Sequence, residues 1–154
     1  MNNDEISIGD FVGLLVEKWR GKSLENSEIL RYGHFRGWLE DSDERQSQFP
    51  LNRQTAARII HQFLRIECNF QDLPDITPAT VLKDLYNCRV CANHIAQVYT
   101  LGIMDAQEYK REPEFSSSPS PVLIFNHLAP VYKPEAEKII NLITYKYIRR
   151  QPED

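Results

Sequence analysis

Arg53 occupies the position at which this sequence is best equipped to bind an anion. It follows Asn52, a residue type that caps helices, and it opens a run of apolar residues at helical spacing. A guanidinium group binds a carboxylate through two parallel hydrogen bonds, and a helix N-terminus adds a favourable potential for negative charge. The sequence therefore predicts one of two things, a site for an acidic ligand at Arg53 or an exposed arginine in a first helical turn.

A group of cysteines and a histidine has the composition of a metal site. Cys88, Cys91 and His94 lie three residues apart, and Cys68 would supply a fourth ligand for zinc. Zinc ligands of this kind come in two separated pairs, and the chain has no second CxxC pair. A thioredoxin-like redox motif requires a βαβ setting, which the sequence pattern lacks. We therefore expect ordinary buried cysteines, with no metal and no cofactor; their odd number fits a reducing compartment.

No set of residues predicts catalysis. The sequence has no glycine-rich phosphate loop, no HExxH motif and no Ser-His-Asp order. The histidines are spread along the chain without an evident carboxylate or nucleophile partner in sequence: His34, His61, His94 and His127. We therefore expect a protein that is not an enzyme.

Helices must position these side chains, because the apolar residues recur with a helical period. Three helices are expected to begin at the caps Ser7, Asn52 and Ser120, and each has a second helix after it. The predicted ranges are 6–19, 29–39, 52–66, 90–104, 122–131 and 134–150. No segment alternates as a strand does, so the predicted fold class is all-α.

Composition and charge exclude several classes of protein. The chain has 154 residues, of which 42% are apolar and 26% charged, as in an ordinary soluble domain. Its net charge of −4 argues against nucleic-acid binding, and no apolar stretch approaches the length that membrane insertion requires. The acidic N-terminus does not resemble a signal peptide, so the chain as it stands is expected in the cytoplasm; a piece of an exported protein would lie at the cell surface.

The three caps define an internal repeat. Gly37 and Gly102 each stand at the end of a second helix, followed by two apolar residues and an acid. The chain is therefore expected to be a single domain, 1–154, made of three helical hairpins at about 5–48, 49–115 and 116–150.

This repeat resembles the S-layer homology (SLH) domain. The segment Leu51-Asn52-Arg53-Gln54-Thr55 is similar to the Ile-Thr-Arg-Ala-Glu motif that opens the family's repeat, and Phe70-Gln71-Asp72-Leu73-Pro74 to its aromatic-Asp-Val-Pro segment. Leu101-Gly102-Ile103 resembles the glycine-containing end of the family's second helix, and Phe49-Pro50 resembles the loop that precedes a repeat in the family. The resemblance covers about residues 6 to 132.

The resemblance implies a pseudo-threefold bundle whose grooves bind acidic, pyruvylated cell-wall polysaccharide through the arginine of the opening motif. Only Arg53 keeps that arginine, because the equivalent positions are Ile8 and Pro121, while the acid survives as Asp10. Trp38 is expected either to stack on a sugar ring or to fill the seam between repeats. The expected ligand-binding residues are Arg53, Asp10, Gly37, Trp38 and Gly102.

Two functions remain open from the sequence. The first is a non-catalytic SLH-like binding module of a bacterial protein, with an acidic cell-wall polysaccharide as its ligand. The second is an intracellular helical adaptor that has lost the glycan sites and binds a protein partner between its repeats.

Overall fold

Helices dominate the computed structural model, which describes residues 4–109 and 122–148. The predicted helical character is confirmed, and the predicted helices at 6–19, 29–39, 52–66, 90–104 and 134–150 all have counterparts. The α-helices are α1 (Ile8–Arg20), α2 (Asn26–Arg36), α3 (Asp41–Arg45), α4 (Arg53–Glu67), α5 (Arg89–Thr100) and α6 (Lys133–Ile143). Short 3₁₀ turns span Thr77–Val81 and Leu85–Asn87, and a π-helical turn, Thr144–Ile148, extends α6.

Local sequence signals set the helix ends as predicted. The Ser7 hydroxyl accepts a hydrogen bond from the Asp10 amide at 3.0 Å, and the Asn52 side chain accepts one from the Thr55 amide at 2.9 Å. These bonds satisfy amide groups that a helix N-terminus leaves without partners. Gly37 ends α2 in the left-handed region at φ 94°, where a side chain would be strained.

The predicted helix at 122–131 is wrong. Val122–Ile124 forms a short strand, β2, which pairs antiparallel with β1 (Gln107–Tyr109). Asn126 then adopts a left-handed backbone with φ 68°, which is incompatible with a helix. The predicted cap, Ser120, lies outside the described residues. The chain is therefore predominantly, and not exclusively, α-helical.

Three short segments, one before each of α1, α4 and α6, form a closed ring of backbone hydrogen bonds. The amide of Leu51 donates to the carbonyl of Ile6 at 2.8 Å, and that of Val131 donates to Leu51 at 2.9 Å. The amide of Ile6 closes the ring on Val131 at 3.3 Å. All three side chains are buried, so the ring lies within the core.

The same segments bind the first amides of the three helices. The first residue of each helix donates to a segment beside the ring: Ile8 to the Phe49 carbonyl at 3.0 Å, Arg53 to Ala129 at 2.9 Å and Lys133 to Asp4 at 2.7 Å. Backbone carbonyls therefore satisfy helix-end donors that would otherwise need side-chain caps or water. Consequently α1, α4 and α6 all begin at one ring.

Trp38 lies in the core, as the seam alternative predicts. Its side chain is 1% exposed, and its ring centroid is 4.9 Å from that of Phe63 and 5.7 Å from that of Tyr32, both edge-on. The indole N–H donates to the Glu67 carboxylate at 2.9 Å. Because both faces of the indole are enclosed, the ring is not accessible to a sugar in this conformation.

Candidate functional site

Arg53 is buried, with 2% of its surface exposed. Its Nε–H donates to the Phe125 carbonyl at 2.7 Å, and its two terminal nitrogens bond the Glu135 carboxylate and the Asp105 carbonyl. The guanidinium carbon also lies 4.6 Å from the centroid of the Phe125 ring. Arg53 thus connects α4 to the segments after β2 and before β1, and to the first turn of α6.

The expectation of an exposed arginine is therefore wrong. Glu135, a residue of the same chain, supplies the carboxylate that was expected from a ligand. The Glu135 side chain is 28% exposed. A ligand acid would have to displace this intramolecular ion pair to reach Arg53. No local sequence signal predicts the Arg53–Glu135 pair, because the two residues are 82 positions apart.

The expected ligand-binding residues are not brought together. Asp10 is exposed and lines the larger of the two cavities described below. Gly37 and Gly102 act as helix ends, at φ 94° and φ 79°. Trp38 and Arg53 are buried in separate places. Of the five expected ligand-binding residues, Asp10 is therefore the one that lines a described cavity.

The larger cavity, which we call the α1–α2 groove, has a volume of about 620 Å³. This volume is within the size range of ligand sites. One face of α1, the start of α2 and the first two turns of α6 form the walls of the groove. Its lining residues are Ile6, Ser7, Gly9, Asp10, Gly13, Leu14, Glu17, Ser23, Leu24, Asn26, Ile29, Leu30, Ser47, Gln48, Lys133 and Glu137.

Two glycines on α1 allow its neighbours to approach the helix closely. A Cβ atom on Gly9 would lie 3.3 Å from the Ser47 carbonyl oxygen, and one on Gly13 would lie 3.3 Å from the Ile29 side chain. Both distances are tighter than ordinary packing. Side chains at these positions would push Ser47 and Ile29 away and would change the shape of the groove.

The charge of the α1–α2 groove is predominantly negative. Among the described residues that line it, three carboxylates, Asp10, Glu17 and Glu137, face one ammonium, Lys133. All four residues are exposed, and leucine and isoleucine side chains also line the groove. An apolar groove with acidic groups favours ligands that carry basic and apolar groups.

Sequence reasoning missed Lys133 and Glu137 because it placed the third cap at Ser120. A usable signal was present: Pro50 lies two residues before Asn52, and Pro130 lies two residues before Tyr132. Both prolines form bridges to a neighbouring cap segment, and Tyr132 is the N-cap of α6.

A second, smaller cavity of about 330 Å³ has the opposite charge and lies where α1 ends against α2. It is lined by Arg20, Leu24, Glu28, Arg31, Tyr32 and Phe35. The Arg20 guanidinium lies 5.5 Å from the Tyr32 ring centroid, and Phe35 is 85% exposed. Two cations beside an exposed aromatic ring suit an acidic group carried on a sugar.

His61 is completely buried, and it links α4 to α5 and to the loop after α4. Its Nε2 lies 2.7 Å from the Asp72 carboxylate, and its Nδ1 lies 2.8 Å from Nδ1 of His94. A carboxylate can only accept, so His61 Nε2 carries a proton and His61 Nδ1 accepts the N–H of His94. Arg65 and Asn93 complete the cluster by donating to Asp72.

Burial keeps both imidazoles neutral. Burial first, and then the neighbouring His61 and the guanidiniums of Arg65 and Arg58, together lower the pKa of His94 to about 4 against the pull of Asp72. Burial also lowers the pKa of His61, despite its bond to Asp72. The hydrogen bond from Arg65 holds the pKa of Asp72 well below its usual range.

This cluster makes stability depend on pH. Histidines of the unfolded chain bind protons near pH 6.5, whereas folded His94 does so only near pH 4. The contribution of the neutral imidazoles is therefore complete above pH 6.5 and declines as the pH falls toward 4. We expect the free energy of unfolding to fall by about 2 kcal/mol from pH 7 to pH 5, measured by urea denaturation.

His94→Gln should flatten that profile, because glutamine keeps a donor for His61 and does not titrate. His34→Gln, which replaces a partly exposed histidine that pairs with Asp41 and Glu44 outside this cluster, should leave the decline in place. An equal decline in wild type and His94→Gln would assign the pH dependence to other groups.

Cys88 and Cys91 form a disulfide, contrary to the expectation of ordinary buried cysteines. Cys88 is the N-cap of α5 and Cys91 lies in its first turn, so the helix brings their Cα atoms within 5.2 Å. Both are partly exposed, and Cys68 stands outside the disulfide. Within residues 4–109 and 122–148, no three His, Cys, Asp or Glu side chains are placed to hold a metal ion.

None of the helices described here is long and apolar enough to cross a membrane. A scan against protein-family models finds no match, and searches of curated proteins and of solved structures find none either.

Proposed function

We propose that the chain is a non-catalytic, SLH-like binding module with three capped-helix units in a pseudo-threefold arrangement. The ring of hydrogen bonds among Ile6, Leu51 and Val131 supports this proposal, because each segment contacts the other two in the same way. In this arrangement the third unit begins at Tyr132 rather than at Ser120. The equivalents of Arg53 are then Ile8 and Lys133.

The binding surface in this proposal is the α1–α2 groove, and its occupant is a segment of a partner protein that carries basic and apolar side chains. The observation that carries this choice is the charge of the groove, in which Asp10, Glu17 and Glu137 outnumber Lys133. An acidic glycan would meet like charges there, which disfavours binding. The pairing of Arg53 with Glu135 removes the other candidate for anion recognition near the helix starts.

Fluorescence anisotropy with two labelled peptides of alternating sequence tests this choice. We expect a leucine–lysine peptide of about ten residues to bind and a leucine–glutamate peptide of equal length not to bind. Asp10→Asn and Glu137→Gln should each weaken binding by up to about fivefold, since an exposed charge pair contributes at most about 1 kcal/mol.

Glu108→Gln is the matched control, because it removes an exposed carboxylate from β1, outside the groove. It changes the net charge of the protein by the same amount as the groove variants. If it weakened binding as much as they do, the peptide would be responding to overall charge and the groove would not be the site.

An acidic cell-wall polysaccharide is the second candidate ligand, at the smaller cavity. Arg20, Arg31 and the exposed ring of Phe35 favour it, because arginines bind sugar acids and an aromatic face packs on a sugar ring. This candidate keeps the function that the SLH resemblance implies and moves its site away from Arg53.

A further inference from the structure

We propose that Cys88 and Cys91 are a redox-active pair that oxidises external dithiols by thiol–disulfide exchange. The pair is disulfide-bonded in a CxxC sequence at the N-terminus of the 12-residue helix α5. It belongs to neither cavity, so this activity is independent of the binding function proposed above.

The position of Cys88 favours its thiolate. As the N-cap it sits beside amide groups at the start of α5, and the helix dipole presents positive potential there. Arg89, the next residue in the chain, is exposed and places a cationic side chain adjacent in sequence to Cys88. CxxC cysteines at helix N-termini have lowered pKa values for these reasons, and a stable thiolate is a good leaving group.

The surroundings of the disulfide suit the approach of a partner chain. Cys91 packs against the core, and both cysteines are partly exposed. Two large apolar side chains near them in sequence are exposed: Tyr86, before Cys88, is 64% exposed, and Val90, between the two cysteines, is 85% exposed. An exposed apolar surface of this kind, next to a reactive bond, offers contacts to a polypeptide that brings a thiol.

The exchange balances without a cofactor. A thiolate of the external dithiol attacks Sγ of Cys88, forming a mixed disulfide and releasing Cys91 as a thiolate. The second thiolate of the external molecule attacks its own sulfur in that mixed disulfide, and Cys88 leaves as a thiolate. Two electrons pass to the Cys88–Cys91 pair, the external dithiol becomes a disulfide, and each product thiolate takes a proton according to its pKa.

Thiol trapping in the Cys68→Ser background tests the proposal, because this variant leaves only the two cysteines of interest. The folded protein is equilibrated with dithiothreitol at several ratios of reduced to oxidised reagent, quenched with acid and labelled with a maleimide that shifts its mobility. We expect a species with two labels to form and to disappear reversibly, with an unchanged circular dichroism spectrum. A disulfide that stays closed in folded protein would overturn the proposal.

Single-cysteine variants test which sulfur is activated. With Cys68 and Cys91 both replaced by serine, Cys88 should react with iodoacetamide at pH 6.5 about tenfold faster than Cys91 does in the Cys68→Ser, Cys88→Ser variant. Rates that are equal, or that match a free cysteine peptide, would show that the helix does not activate the pair and would also overturn the proposal.

Discussion

Replacing Arg53 with alanine is expected to lower the free energy of unfolding by about 3–5 kcal/mol, the range for removing one partner of a buried ion pair. The change removes the Arg53 donor from the carbonyls of Phe125 and Asp105 and the cation from the Phe125 ring. It also opens a cavity where a large, 2% exposed side chain stood. Urea denaturation followed by circular dichroism measures the effect.

Arg89→Ala is the matched control, because Arg89 is also the first residue of a helix but is exposed. Its expected effect is within about 0.5 kcal/mol. Glu135→Gln should fall between the two, since glutamine still accepts from Arg53 but no longer neutralises it. If Arg53→Ala lowered the free energy of unfolding as little as Arg89→Ala does, Arg53 would have no structural role and would again be a candidate ligand-binding residue.

Replacing Trp38 with alanine is expected to cost about 3–5 kcal/mol, as for other large aromatic residues in cores. The indole packs edge-on against Phe63 and Tyr32, and it shares the buried Glu67 carboxylate with Arg36. Removal of the indole leaves both a cavity and a carboxylate with one donor fewer. Thermal and urea unfolding measure the loss.

Trp38→Phe separates packing from hydrogen bonding. It keeps most of the ring contacts and loses the bond to Glu67, so a cost of about 1–2 kcal/mol is expected. A Trp38→Ala protein of nearly wild-type stability would contradict the core assignment and would favour the alternative in which Trp38 stacks on a sugar.

Local features of the fold were predictable from the sequence. The side chains of Ser7 and Asn52 cap helices through bonds that span three residues, and Gly37 ends α2 because of its own backbone conformation. Such signals depend only on neighbouring residues, so a single sequence contains them. The same reasoning failed at 122–131, where pairing with β1 outweighs the helical spacing of the apolar residues.

The site depended on contacts that local patterns do not encode. Arg53 had the sequence features of a ligand-binding arginine, but Glu135 reaches it from α6 across most of the chain. Asp10 was a candidate because of its place in a repeat motif, yet its role in the groove comes from the approach of α2 and Lys133. Burial and partner identity are properties of the tertiary arrangement, so sequence reasoning could only leave them open.

The Cys88–Cys91 disulfide also differs from what the sequence pattern predicted. The CxxC spacing was visible, and the absence of a βαβ pattern counted against redox chemistry. What brings Cys88 and Cys91 together is only the first turn of α5, which any helix can supply. The broader fold was therefore no guide to whether these two cysteines form a disulfide.

Sedimentation of the purified protein with pyruvylated cell-wall sacculi tests most directly the claim that this module binds a basic protein segment. Wild type is compared with Arg31→Ala, which removes a cation from the smaller cavity, and with Asp10→Asn, which removes a carboxylate from the α1–α2 groove. The account predicts that wild type stays in the supernatant while the leucine–lysine peptide binds it in an Asp10-dependent manner. Failure of the leucine–lysine peptide to bind, together with sedimentation that Arg31→Ala abolishes, would contradict the account and would identify the acidic polysaccharide as the ligand.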